Sequence, residues 1–173
     1  MRNLEQHLVQ YAMYHRDKRN IKTHLIGVPL IVFAVIMMAY VPIFELSGLT
    51  VTLAMLLITL AGGYYFFLSP TIGLMMVAIL ILGYAGVLLI HQGMSSGMST
   101  NWMFYGFGGG LFIIGWIIQF IGHYFEGKKP AFVDDLIGLL IGPLFVLTEI
   151  LFKFGFLKSL EDKIIGQAGA CRN

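Results

Sequence analysis

Four stretches of this chain each run close to twenty residues without a charged side chain: Leu25–Phe44, Leu49–Leu68, Ile72–Ile90 and Trp102–Gly122. An α-helix needs about 20 apolar residues to cover the hydrocarbon core of a bilayer, so each run has the length of a span. Hydrophobic residues make up 58% of the chain and charged residues 12%, against roughly 45–50% and 25% in an ordinary soluble domain. The expected fold is all-α and integral to a membrane. It has about four transmembrane helices in a single membrane-embedded domain spanning residues 1–173.

The placement of charge sets the expected topology. Lys and Arg fall in three places only: Arg2, Arg16, Lys18, Arg19 and Lys22 before the first run, Lys128 and Lys129 after the fourth, and Lys153, Lys158, Lys163 and Arg172 near the end. Short cytoplasmic loops collect these residues, so the N-terminus and the Lys128 loop are expected on the cytoplasmic side, with four crossings between them. The polar N-terminal stretch 1–24 lacks the apolar region and cleavage site of a signal peptide. It reads instead as an amphipathic cytoplasmic segment with Asp17–Asn20 as a turn. Residues 131–152 carry a shorter apolar stretch between Asp134/Asp135 and Glu149, interrupted by Pro143. A stretch of that length is expected to be re-entrant or interfacial, a fifth full span being the alternative, and 153–173 to form a cytoplasmic tail. Gly106/Gly110 and Gly138/Gly142 stand four apart and suit close helix packing. Cys171 is the only cysteine, which excludes a disulfide framework and a cysteine metal cluster. Nothing in the pattern calls for a nucleic-acid partner.

Polar residues break the apolar pattern at one place. In "QFIGHYFEGKKPA", Gln119, His123 and Glu126 are spaced by four and three and share one helix face at the end of the fourth run. An ionisable residue at the edge of a span is a candidate functional residue; its structural alternative is a place among the lipid headgroups. In the N-terminal segment, Leu4, Leu8, Tyr11 and His15 follow a helical rhythm that puts His15 on the apolar face, flanked by His7. His24 opens the first span. His15, His24 and His123 therefore all belong to one membrane boundary. Imidazoles without cysteine suit Fe, Zn, Cu or Ni, with Gln119 or Glu126 as a further ligand or as an acceptor for an imidazole N–H. His91 lies at the far end of the third run and is expected outside any such site.

The blocks "YHRDKRNIKTHLIGVP" (Tyr14–Pro29) and "GWIIQFIGHYFEGKKPAFVDDLIGLLIGPLFVLTEILFKFGF" (Gly115–Phe156) resemble a family of small membrane proteins, the fungal-type 2-hydroxy fatty acid dioxygenases. The resemblance covers most of the chain; Val41–Gly110 matches in hydrophobicity alone. It implies an Fe(2+)-dependent enzyme that uses O2 to convert a long-chain 2-hydroxy fatty acid into the acid one carbon shorter, the α-oxidation step of lipid metabolism. It also implies His15, His24 and His123 as the metal ligands. Arg19, Lys128 and Lys129 are candidates for holding the substrate carboxylate, though lysines in such a loop usually serve as topology signals. The C-terminal "GACRN" carries no recognised retrieval signal, which favours a bacterial inner membrane over the endoplasmic reticulum. The competing expectation is a non-enzymatic membrane scaffold or small transporter, in which the histidines would not converge.

Overall fold

The computed structural model describes residues 3–94, 98–130 and 137–172, the side chains of 98–100 excepted. In chain order the elements are α1 (Leu4–Ala12), α2 (Lys18–Met38), β1 (Pro42–Leu46), β2 (Leu49–Thr52), α3 (Leu53–Leu68), α4 (Pro70–Gly93), α5 (Met98–Glu126), α6 (Gly138–Lys153) and α7 (Lys158–Ala168). Asp134 and Asp135, with the rest of 131–136, lie outside the described residues.

The chain groups into two compact units, one formed by residues 1–29 and 115–173, the other by 30–114. In the first unit α1 opens with a capping box: the Asn3 side chain accepts the Gln6 N–H (2.9 Å) while the Gln6 side chain accepts the Asn3 N–H (3.0 Å). The next helix starts where Asp17 caps it. Asp17 Oδ1 accepts the Arg19 N–H (2.8 Å) and its carbonyl accepts the Ile21 N–H (3.0 Å). This corrects the expected turn over Asp17–Asn20, because a capping aspartate starts the helix at once, several residues before the apolar run. The α7 helix lies against α1, tied by Lys163 to Glu5 (2.9 Å). The expected tail 153–173 is thus largely helical, and α6 and α7 meet at a bend of 116°. Leu157 (φ 57°) and Gly155 (φ 81°) adopt left-handed backbone at that bend. Pro143 lies inside α6 and does not interrupt it.

In the second unit the chain makes a feature that the hydropathy pattern did not announce. Strands β1 and β2 pair antiparallel across Ser47 (φ 50°) and Gly48 (φ 82°). Positive φ at both central residues matches the type I′ turn whose twist suits a two-residue hairpin. The hairpin takes residues 42–52 from the ends of the first two expected spans, so α3 has 16 residues. At 1.5 Å per residue that is about 24 Å, short of a ~30 Å hydrocarbon core. Ser69 joins α3 to α4 with Pro70 in the first turn, where a missing N–H costs nothing. Gly73 makes this return possible, since a Cβ there would lie 2.5 Å from Phe66 Cα.

Among the described residues α2, α4 and α5 are each long and apolar enough to cross a membrane, and the bent α6–α7 pair passes the same test jointly. Large apolar side chains remain uncovered along them, as in Leu82, 71% exposed, and Leu89, 69% exposed. An aqueous protein does not present such a surface, and the chain is an α-helical multi-pass membrane protein. The glycines expected to mediate packing divide. A Cβ at Gly142 would meet the Tyr11 hydroxyl at 3.0 Å, but at Gly106 or Gly110 it would meet nothing within 4 Å. Four-residue spacing places two glycines on one face without saying whether a neighbour lies there.

Candidate metal centre

Three segments of the first unit bring the site together. On α2, Asn20, His24 and Gly27 share a face; on α5, Gln119, Gly122, His123 and Glu126 do. The two faces approach closely because each presents a glycine. A Cβ on Gly27 would fall 2.8 Å from Gln119 Nε2 and 3.0 Å from the Gly115 carbonyl. A Cβ on Gly122 would collide with Thr23 Oγ1 and lie 2.5 Å from Asn20 Oδ1. His24 and His123 are thereby set opposite each other. The third histidine arrives from the end of α1, where the His15 N–H bonds to the Ala12 carbonyl (3.0 Å). Tyr11 stacks on its ring at 4.1 Å with planes 5° apart, and Phe145 of α6 packs 5.6 Å away.

The rings of His15, His24 and His123 stand 4.4–5.0 Å apart, centre to centre. One nitrogen from each lies within 4.8 Å of the others. All three are buried, His15 completely. His15 Nδ1 lies 2.7 Å from the Tyr11 carbonyl and His24 Nδ1 2.9 Å from the Asn20 carbonyl. A carbonyl only accepts, so each Nδ1 carries the hydrogen and donates it. That leaves both Nε2 atoms as bare lone pairs, and they face one another at 3.0 Å. A shared proton could relieve them, but burial, and then the neighbouring His24, hold the His15 pKa well below its ordinary value against the raising effect of the Tyr11 carbonyl. His123 Nδ1 is buried and without a hydrogen-bond partner.

Converging neutral imidazole lone pairs, oriented from behind by backbone carbonyls, are the donor set of a metal ion. Two nitrogens each about 2.1 Å from one ion can stand no more than about 4.2 Å apart. The separation of His15 and His24 Nε2 falls within that limit. The three-histidine group fits a metal cofactor.

Glu126 is taken up by other work. Its Oε2 accepts the Asp17 N–H (2.7 Å) and the Asn20 amide (3.2 Å), and its Oε1 pairs with Arg172 (2.6 Å). It ties the end of α5 to the segment between His15 and His24. Gln119 is 3% exposed, and neither of its side-chain polar atoms has a partner. The candidate carboxylate anchors lie at the rim. Arg19 pairs with Asp17 (2.8 Å) and lies over the Phe125 ring (4.5 Å). It pulls the Asp17 carboxyl down to about 2. Lys128 is exposed and donates to the Met13 carbonyl (2.8 Å), and Lys129 is exposed beside it. His7 is buried and lines a small cavity with Gln10, Tyr11, Tyr14 and Ile137. His91 belongs to the second unit, its ring 4.8 Å from Tyr40 and 5.0 Å from Phe104.

Sequence reasoning missed several supporting residues. Arg16 is buried and gives its guanidinium to the carbonyls of Ala12, His15 and Gly169. The backbone of Arg172 bonds on both sides of Asp17, to Arg16 O (2.6 Å) and Lys18 N (3.0 Å). The end of the chain thus straps the loop that carries His15. No sequence signal singled out Arg16, which stands in the charged run "YHRDKRNIK".

Fold and site together define a helical membrane protein with a buried group of three histidines that could hold a metal ion. Residues 1–154 match the family model described as 2-hydroxy-palmitic acid dioxygenase Mpo1-like, and the chain belongs to that family. It is 34% identical over 162 residues to the 2-hydroxy-palmitic acid dioxygenase MPO1 of Saccharomyces cerevisiae, covering 92% of this chain and 86% of that protein. No solved structure matches.

Proposed function

We propose that this protein is an Fe(II)-dependent dioxygenase that converts long-chain 2-hydroxy fatty acids into the acid one carbon shorter, with His15, His24 and His123 holding the metal. The observation that carries the reading is that three buried imidazoles each bring one nitrogen within 4.8 Å of the others. A scaffold or passive transporter has no use for lone pairs opposed at 3.0 Å. Family membership supports the substrate class.

The residues of the chain account for the rest. An acyl tail lies among apolar helices, each buried CH2 contributing about 0.8 kcal/mol, so tail length is selected by burial. The carboxylate and hydroxyl then stand at the polar end of α2 and α5, beside the histidines. Tyr11 and Phe145 close over the His15 ring and keep water from it. The Tyr11 and Asn20 carbonyls fix the tautomers that leave Nε2 free. Ferrous iron, if held by His15, His24 and His123, would supply the reactivity toward O2 that the reaction needs. The start of α2 and the end of α5 share one side, joined through Glu126; the lysines and arginines gathered there support a cytoplasmic assignment.

Metal analysis and product analysis of the detergent-purified protein test this reading. Iron is expected to co-purify or reconstitute, and 2-hydroxypalmitate to yield the C15 acid only when both Fe(II) and O2 are supplied. Iron-reconstituted protein that leaves 2-hydroxypalmitate unchanged under air overturns it.

A further inference from the structure

Gln119 is the polar side chain of the site that nothing else uses. It is 3% exposed, and both its Nε2 and its Oε1 are buried without a partner. Either orientation of the amide therefore leaves one donor and one acceptor unmet. Its neighbours differ. Glu126 accepts from Asp17, Asn20 and Arg172, and Arg16 donates to three carbonyls. Buried polar groups in folded proteins are satisfied with few exceptions, and an exception at a site calls for a ligand.

The placement of Gln119 says which part of a ligand reaches it. It stands one turn before His123 on the same face of α5, about 6 Å along the axis. Its amide lies beside Gly27, which is one turn beyond His24 on α2. Both offsets lead away from the polar ends of the two helices, toward the apolar interior. The space for the amide exists because residue 27 has no side chain; a Cβ there would lie 2.8 Å from Nε2. The unmet pair on Gln119 is mixed: Oε1 accepts and Nε2 donates. A carboxylate only accepts. A hydroxyl both donates and accepts, and so matches a carboxamide atom for atom.

We infer that Gln119 binds the C2 hydroxyl of the substrate and so selects a 2-hydroxy acid over the unsubstituted fatty acid, an inference that rests on the proposed dioxygenase reading. A buried site built to hydrogen-bond a hydroxyl rejects the analogue lacking it, because its own polar atoms are then left unpaired. Gln119 in this role is a specificity residue and not a metal ligand.

The test is a cycle of two ligands against two side chains. Binding of 2-hydroxypalmitate and of palmitate is measured anaerobically on metal-loaded wild type and Gln119→Met, by quenching of tryptophan fluorescence, with metal content and turnover recorded alongside. Met keeps the length and volume of Gln and removes the amide. The wild-type preference for the hydroxy acid is expected to fall at least tenfold in Gln119→Met, with palmitate affinity and metal content within twofold of wild type. A preference unchanged within twofold overturns the inference, as does an equal loss for both ligands, which marks a packing role. Loss of bound metal instead makes Gln119 a ligand and also overturns it. If Gln119→Met cannot be purified, Gln119→Leu removes the amide in the same way, and the same criteria apply. Wild type that neither binds nor converts 2-hydroxypalmitate sinks the dioxygenase reading itself, a result distinct from wild-type turnover with an unaltered preference in the variant.

Discussion

His123 near the end of α5 and His91 near the end of α4 begin from equivalent sequence settings. Each is a lone imidazole closing a long apolar helix. His123 lies beside two other histidines, and the residues around it do more than fill space. A carbonyl orients a ring, a glycine admits a helix, and a glutamate ties a loop. His91 has Tyr40 and Phe104, two aromatic faces that pack against a ring and ask nothing of its nitrogens. A histidine becomes a candidate ligand through what stands behind it and opposite it. Its position at a helix end decides nothing.

The strongest way to break this contrast is to remove the rings singly. His15→Ala, His24→Ala and His123→Ala are each expected to lower metal affinity by more than ~100-fold, beyond the 10–100-fold usual for groups that only support a ligand. Turnover of 2-hydroxypalmitate should fall with it. His91→Ala is expected to keep metal content within twofold of wild type. Metal lost on removing His91, or kept after removing any of the three, would show that the contrast is false.

The three histidines were legible because polar side chains are costly beside apolar spans and therefore stand out. Their closeness was legible in part, since charge placement put the start of the first span and the end of the fourth on one side, and in the fold Glu126 meets Asp17 there. What could not be read is what depends on a neighbour. Gly27 and Gly122 do the packing at the site, while Gly106 and Gly110 have the more familiar spacing and face no atom within 4 Å. Arg172 reaches Glu126 from the far end of the chain, where no local pattern marks it. The β1–β2 hairpin was hidden differently. Ser47-Gly48 is a turn signal, but Ile43, Phe44 and Leu49 read equally well as span residues when lipid, not water, is the surrounding medium.

Packing allows a second, smaller contrast. Gly122→Leu is expected to clash with Thr23 and Asn20, part α2 from α5, and cost about 1–3 kcal/mol of stability, as overpacking in close-packed interiors does. The His24–His123 spacing should widen with it, so metal affinity should drop even though no ligand has changed. Gly106→Leu on the same helix has open space at its Cβ and should leave both quantities near wild type. Thermal unfolding in detergent, with and without added metal, separates the two effects. Equal losses at both positions would mean that the approach of α2 does not decide the cost, since Gly→Leu improves helix propensity at either one.

The smallest effect concerns the strap. Arg172 pairs with Glu126 at 2.6 Å, but its side chain is 60% exposed while that of Glu126 is fully buried. A solvent-exposed partner contributes about 0–1 kcal/mol, so Arg172→Ala should weaken metal binding by less than about fivefold. It leaves Glu126 with its bonds to the Asp17 N–H and the Asn20 amide, and it leaves the main-chain bonds of residue 172 intact. Glu126→Gln alters the same contact from its buried end. It removes the charge that the Asp17 N–H, the Asn20 amide and Arg172 all share, and such charge-assisted bonds are about twice as strong as neutral ones. Its effect on metal affinity should therefore exceed that of Arg172→Ala by several-fold. Isothermal titration of both metal-free variants with Fe(II) under argon ranks them directly. An Arg172→Ala loss as large as that of Glu126→Gln would move the control of the His15 loop from the buried carboxylate to the exposed strap.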